Sequence, residues 1–172
     1  MGIIIGGDVV SENGATHSHD GCNALKRVLH KLIDSEDVFC INLEGALSPS
    51  TEYKLAKIGP GTTNSKEIIQ GLNVSKHFMV SLANNHILDF GENGLNETCS
   101  YLSSKNIAVI GAQTSTQSKY TYDIQNVDGK KVAFIAFAEE EFNREGNVGA
   151  YIADYREAYL LVTYLLTKVD KI

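Results

Sequence analysis

The chain has 172 residues, 43% of them hydrophobic and 21% charged, which is room for one domain with its own core. Its formal charge is −6 and its pI about 5.3, so no basic field exists to gather nucleic acid or an anionic membrane surface. An acidic protein of this kind that handles phosphate needs a metal ion to offset the charge.

In chain order, residues 2–7 (GIIIGG) read as a strand covered on both faces and ending in glycines, followed at once by Asp8. Leu25, Val28, Leu29, Leu32 and Ile33 recur at helical spacing and predict an amphipathic helix over residues 20–34. Residues 38–41 (VFCI) form a second buried strand that runs into Asn42-Leu43-Glu44-Gly45. Residues 45–64 hold both prolines and several glycines and read as a long loop. A short helix over 65–72, capped by Ser65, precedes a third strand at 78–82. Leu95, Thr98, Cys99 and Leu102 mark a helix over 93–105, and a fourth strand follows at 107–110. Asp128-Gly129, between runs at 121–127 and 130–137, is a two-residue hairpin signal. The last element, 151–168, is a helix with apolar residues on nearly every side. Four strand–helix alternations plus one hairpin predict a single α/β domain with a mixed, mostly parallel sheet.

The three cysteines, Cys22, Cys40 and Cys99, are odd in number and far apart, with no metal-ligand spacing. Cys40 and Cys99 fall on apolar faces and read as core thiols of a reducing compartment. The N-terminus lacks the basic region of a signal peptide, and the apolar stretch 158–166 is shorter than the ~20 residues that span a bilayer. A cytoplasmic protein without a membrane span is expected. His17 and His19 (THSHD) read as a solvated turn, with a metal clip near Asp8 as the alternative. His30 and His77 read as structural, and neither the GGD nor the GENG glycines match a phosphate-binding loop.

The chemistry-bearing residues stand at strand ends. The first three strands run out into Asp8, into Asn42 and Glu44, and into Asn84-Asn85-His86. In a parallel sheet these ends converge on one edge, where open α/β sheets bind ligands. Carboxylates and an amide carbonyl suit Mg²⁺ or Mn²⁺, and imidazole extends the range to Zn²⁺ and Fe. The plainer reading of Asn84-Asn85-His86 is a helix-capping turn with no ligand.

The segments GIIIGGDVV, NLEGALS and SLANNHILDFGENGLNETCSYLSSKNIAVIGA, in this order, resemble the CapA-like poly-γ-glutamate capsule-biosynthesis family, placed within the calcineurin-like metallophosphoesterase superfamily. The long third segment carries most of the resemblance, and KVAFIAFAEEEFN is similar to the hairpin strand that follows in the family. The resemblance implies a layered α/β/β/α sandwich and a divalent metal (Mn, Fe, Zn or Mg). It implies Asp8, Glu44 and Asn85 as metal ligands and His86 as the catalytic group. Asn42, Asn84 and Asp89 would orient these ligands, and Glu139, Glu141 and Asn143 would border the substrate pocket.

Two departures qualify this. Val10 stands where the wider superfamily has the histidine of a D-x-H motif, and no histidine follows His86, although the family has late histidine motifs. The resemblance therefore implies the N-terminal part of a larger domain. An incomplete sheet leaves an edge and the helix at 158–166 uncovered, which predicts a homo-oligomer. The leading expectation is a metal-dependent hydrolase of phosphoesterase type in capsule or envelope-polymer synthesis, acting on a small phosphorylated or polymer-related substrate. The alternative is a non-catalytic binding or assembly module of the same machinery.

Overall fold

A computed structural model describes residues 1–11, 18–47, 50–54, 61–115, 121–139, 144–145 and 148–172 of the chain. Its centre is a four-stranded parallel sheet of β1 (Ile3–Val9), β2 (Val38–Leu43), β5 (His77–Ser81) and β6 (Ala108–Ile110), in the order β1-β2-β5-β6. Three helices connect these strands: α1 (His19–Leu29), α2 (Lys66–Leu72) and α3 (Gly91–Ser104). The strands follow one another across the sheet in a single direction. Right-handed crossovers then place every connecting helix on the same face.

That face holds the larger core. Phe39, Ile41 and Leu43 of β2 and Phe78 and Val80 of β5 pack there against Ile68, Ile69 and Leu72 of α2 and Leu95, Cys99 and Leu102 of α3. Phe39 and Phe78 are register partners on adjacent strands and stack with centroids 5.3 Å apart. Each such buried side chain contributes about 1.5–3 kcal/mol. The alternate residues Val38, Cys40, Met79 and Ile110 face the other way, onto Val132 and Phe134 of an antiparallel hairpin, β8 (Tyr122–Val127) and β9 (Lys130–Ile135). Its turn residues Asp128 and Gly129 have φ of 50° and 80°, the left-handed pair that a two-residue hairpin turn requires. A last helix, α4 (Tyr155–Leu166), is capped by Asp154 Oδ1, which accepts from Glu157 N at 2.7 Å. The result is the expected α/β sandwich of helices, parallel sheet and hairpin. Among the described residues, no helix is long and apolar enough to cross a membrane.

Several boundaries differ from the expected ones. The first strand continues through Asp8 to Val9, and it is an edge strand with Ile3 and Ile5 exposed rather than covered on both sides. The first helix ends at Leu29 instead of residue 34. Single-turn bonds such as Lys31 N to Val28 O follow, then a turn in which Asp37 accepts from the backbone N–H of Asp34. The expected loop at 45–64 contains two short parallel strands, β3 (Ala46–Leu47) and β4 (Thr63–Asn64), and a 3-10 turn at Thr51–Tyr53. Ser65 stands at the cap position of α2 but makes no side-chain capping bond; its N–H donates to Ser11 Oγ at 2.7 Å. Three further short strands, β7 (Ala112–Gln113), β10 (Arg144–Glu145) and β11 (Val148–Ala150), form a small sheet after β6.

Candidate functional site

The register of β1 against β2 sets the site. Ile5 lies opposite Cys40 and Asp8 opposite Asn42, so three steps along β1 match two along β2. Gly6 and Gly7 occupy this irregularity. The extra residue reverses the alternation of the strand: Ile4 and Val9, five positions apart, both pack toward the helical core. Asp8 is thereby returned to the face of Ile3 and Ile5, beside Asn42.

The site is built from there. Asn42 Nδ2 donates to Asp8 Oδ1 at 2.8 Å and to Glu44 Oε2 at 2.7 Å, spending both amide hydrogens on the two carboxylates. Its orientation is dictated from below. Asn84 Oδ1 accepts from the backbone N–H of His86 at 3.1 Å and of Gly45 at 3.3 Å. Asn84 Nδ2 must then donate, and it does so to Leu43 O at 2.7 Å and Asn42 Oδ1 at 3.2 Å. With its oxygen held by Asn84, Asn42 can present only its NH₂ to the carboxylates. Asn84 is buried, so each of these bonds lies away from competing water.

His86 lies on the turn after β5. Its Nδ1 donates to Asp89 Oδ2 at 2.8 Å, which leaves Nε2 facing Glu44 Oε1 at 3.9 Å. Asp89 is buried, and the same oxygen accepts from Thr62 N at 2.8 Å. A buried carboxylate bonded to one ring nitrogen fixes the tautomer and aims the other nitrogen at the site.

The structure thus brings together Asp8, Asn42, Glu44, Asn84, His86 and Asp89. Asn85 is exposed at the rim of the same turn. Glu139 is exposed beyond β9, and Glu141 and Asn143 lie outside the described residues, as does His17; His19 is exposed at the start of α1. Sequence reasoning missed the strap formed by residues 62–65. Asn64 Nδ2 donates to Glu44 O at 2.7 Å, and Asn64 Oδ1 accepts from Ser11 N at 2.8 Å. The available signal was a run of four short polar residues, Thr62-Thr63-Asn64-Ser65, inside a supposed loop. Cys40, two residues before Asn42, is not a candidate nucleophile: burial pushes its thiol up to about 11.

Among the described residues, no three His, Cys, Asp or Glu side chains cluster closely enough to enclose a metal ion. The donor types suit a hard cation of the Mg²⁺ kind, which one or two carboxylates commonly hold while waters and substrate phosphate complete its shell. Asp8 and Glu44 form such a pair, each with one oxygen on Asn42.

Comparison with known proteins follows this geometry. The family model described as "Bacterial capsule synthesis protein PGA_cap" matches residues 2–164. The chain is similar to "PGA biosynthesis protein CapA" of Bacillus subtilis (strain 168), with 23% identity over 120 residues. That match takes in 69% of this chain and 32% of the relative, so the chain spans about a third of the length of the curated protein it matches. The family match runs from β1 into α4 and includes every strand end that carries the site, and the chain therefore belongs to the bacterial capsule synthesis protein family PGA_cap.

Proposed function

We propose that this chain carries a metal-dependent hydrolytic site of phosphoesterase type that serves synthesis of the poly-γ-glutamate capsule. The observation that carries this reading is the imidazole of His86, held by Asp89 through Nδ1 and directed through Nε2 toward the carboxylates at the strand ends. Asp8 and Glu44 would hold a divalent ion, and Asn42 and Asn84 keep the two carboxylates in place. When bound, the ion supplies Lewis-acid polarisation of a phosphoryl oxygen.

The chain's own residues supply the proton chemistry. In the imidazolium form, His86 carries a second proton on Nε2 and gives it to the departing oxygen of the substrate. Asp89 stabilises that cation through the Nδ1 bond and prevents the ring from turning. Three carboxylates within one site also disfavour an anionic substrate unless the cation is present, which couples binding to metal.

A second reading, a non-catalytic binding module of the same machinery, is favoured by one feature: Asn42 satisfies both carboxylates without an ion. Metal binding and turnover separate the two. With Mg²⁺, Mn²⁺, Zn²⁺ or Fe²⁺ supplied in turn, the hydrolase reading expects binding that Asp8→Asn abolishes. It also expects phosphomonoester or phosphodiester cleavage that His86→Ala removes while metal stays bound. Metal bound by the wild type with no turnover on either ester class selects the binding module.

A further inference from the structure

Helix α4 leaves an apolar face uncovered. Its inward side is Leu165, fully buried, with Ala158, Leu161 and Val162 partly buried around it. Beside that side runs a second stripe. Tyr155 is 97% exposed, Tyr159 69% and Leu166 60%, and Val162 lies between them. The spacing of the four is 4-3-4, the repeat of a helix–helix seam rather than of a solvated surface.

We propose that this stripe pairs with the same stripe of a second copy, antiparallel, about a two-fold axis through the middle of α4. The stripe is complementary to itself only in that direction. Residues 155 and 166 are equally distant from the helix midpoint, and so are 159 and 162. A two-fold axis there sets Tyr155 against the second copy's Leu166, and Tyr159 against its Val162, so that each aromatic ring meets an aliphatic side chain. The same patch serves both chains, as an isologous interface requires. Ala158 and Thr163 flank the seam and are small enough for close approach of the two helices.

Charge selects the same direction. Asp154, Arg156 and Glu157 lie at the N-terminal end of α4, and Lys168 lies just past its C-terminus. Antiparallel pairing brings Lys168 to the acidic end of the second copy. It also sets Arg156 beside carbonyls that carry the negative end of the helix dipole. Parallel pairing would place the two Arg156 side chains together.

Area sets the strength. Tyr155, Tyr159 and Leu166 together expose on the order of 450 Å² per chain. Twice that falls short of the roughly 1,200 Å² at which specific interfaces become stable, so the dimer is weak, with a Kd on the order of 10–100 μM.

The test is sedimentation equilibrium of the purified chain from about 5 to 500 μM, which brackets that Kd. The weight-average mass is expected to rise from 18.8 kDa toward twice that value, and Tyr159→Glu to hold it at 18.8 kDa with an unchanged circular dichroism spectrum. Direction is read by oxidative crosslinking, to which Cys22, Cys40 and Cys99 contribute little because all three are buried. Mixing Tyr155→Cys with Leu166→Cys is expected to give a disulfide-linked heterodimer, with no homodimer from either variant alone. A mass that stays monomeric throughout, an association that Tyr159→Glu leaves intact, or self-crosslinking of Leu166→Cys would each overturn the proposal.

Discussion

Asp89 Oδ2 accepts a hydrogen bond from His86 Nδ1 at 2.8 Å, and the two residues are three positions apart on the turn that follows β5. This contact fixes which nitrogen of the ring faces Glu44. It works because Asp89 is itself buried and held by Thr62 N, so the carboxylate cannot swing away with the ring.

Asp89→Asn keeps the shape of the side chain and removes the charge that steadies a protonated His86. Under the hydrolase reading, kcat falls about 10–100-fold, the range for groups that orient a reacting side chain. KM changes little, because Asp89 lies behind the ring, away from the substrate. Steady-state kinetics on the ester that the wild type cleaves would check this. An equal fall in kcat/KM carried mainly by KM would place Asp89 in substrate binding instead.

Asn84→Ala removes the centre of the amide network. The backbone N–H groups of Gly45 and His86 lose their acceptor, and Leu43 O loses its donor. At about 1–3 kcal/mol for each buried group left without a partner, partly offset by entering water, the expected loss is about 3 kcal/mol. Thermal unfolding should show Tm lower by about 10 °C.

Two glycines with positive φ differ in what surrounds them. Gly45 has φ of 91°, and a Cβ there would lie 2.4 Å from the carbonyl oxygen of Thr62, a backbone atom that cannot yield cheaply. Gly45→Ala is expected to cost more than about 3 kcal/mol and to displace Glu44. Gly129 has φ of 80° with nothing near its missing Cβ, so Gly129→Ala costs only the left-handed backbone term of about 1–2 kcal/mol. Urea titration of the two variants gives the comparison directly.

Two core thiols make stability depend on alkaline pH. Burial raises Cys40 to about 11 and Cys99 to about 12, from 9.0. Above pH 9 the unfolded chain releases protons that the folded chain retains, so stability declines as pH rises from 9 toward 11–12 and is unaffected below 9 by these groups. The two thiols together account for about 2 kcal/mol of loss between pH 9 and 10. The Cys40→Ala/Cys99→Ala protein should lose less stability over that interval by urea titration. An identical slope would assign the decline to other groups.

Much of this architecture is legible in the sequence. Helical spacing located α1 and α3, continuous apolar runs located β2 and β5, and Asp128-Gly129 located the hairpin turn, because each signal depends on neighbours along the chain. The residue types at the strand ends were enough to collect Asp8, Glu44 and His86 on one edge, since parallel strands must end together. Some features were not legible. The irregularity at Gly6-Gly7 that turns Asp8 toward Asn42 is a matter of register between strands 34 residues apart. The exposure of Ile3 and Ile5 follows from β1 lying at the sheet edge, beyond the cover of the hairpin. The amide orientations of Asn42 and Asn84, and the strap through Thr62 and Asn64, depend on hydrogen bonds across 20 to 42 residues. Sequence by itself determined which segments are strands and helices and which polar groups end them. Only the tertiary structure decided which face and which partner each polar group meets, because burial and hydrogen-bond satisfaction belong to the assembled sheet rather than to any segment of it.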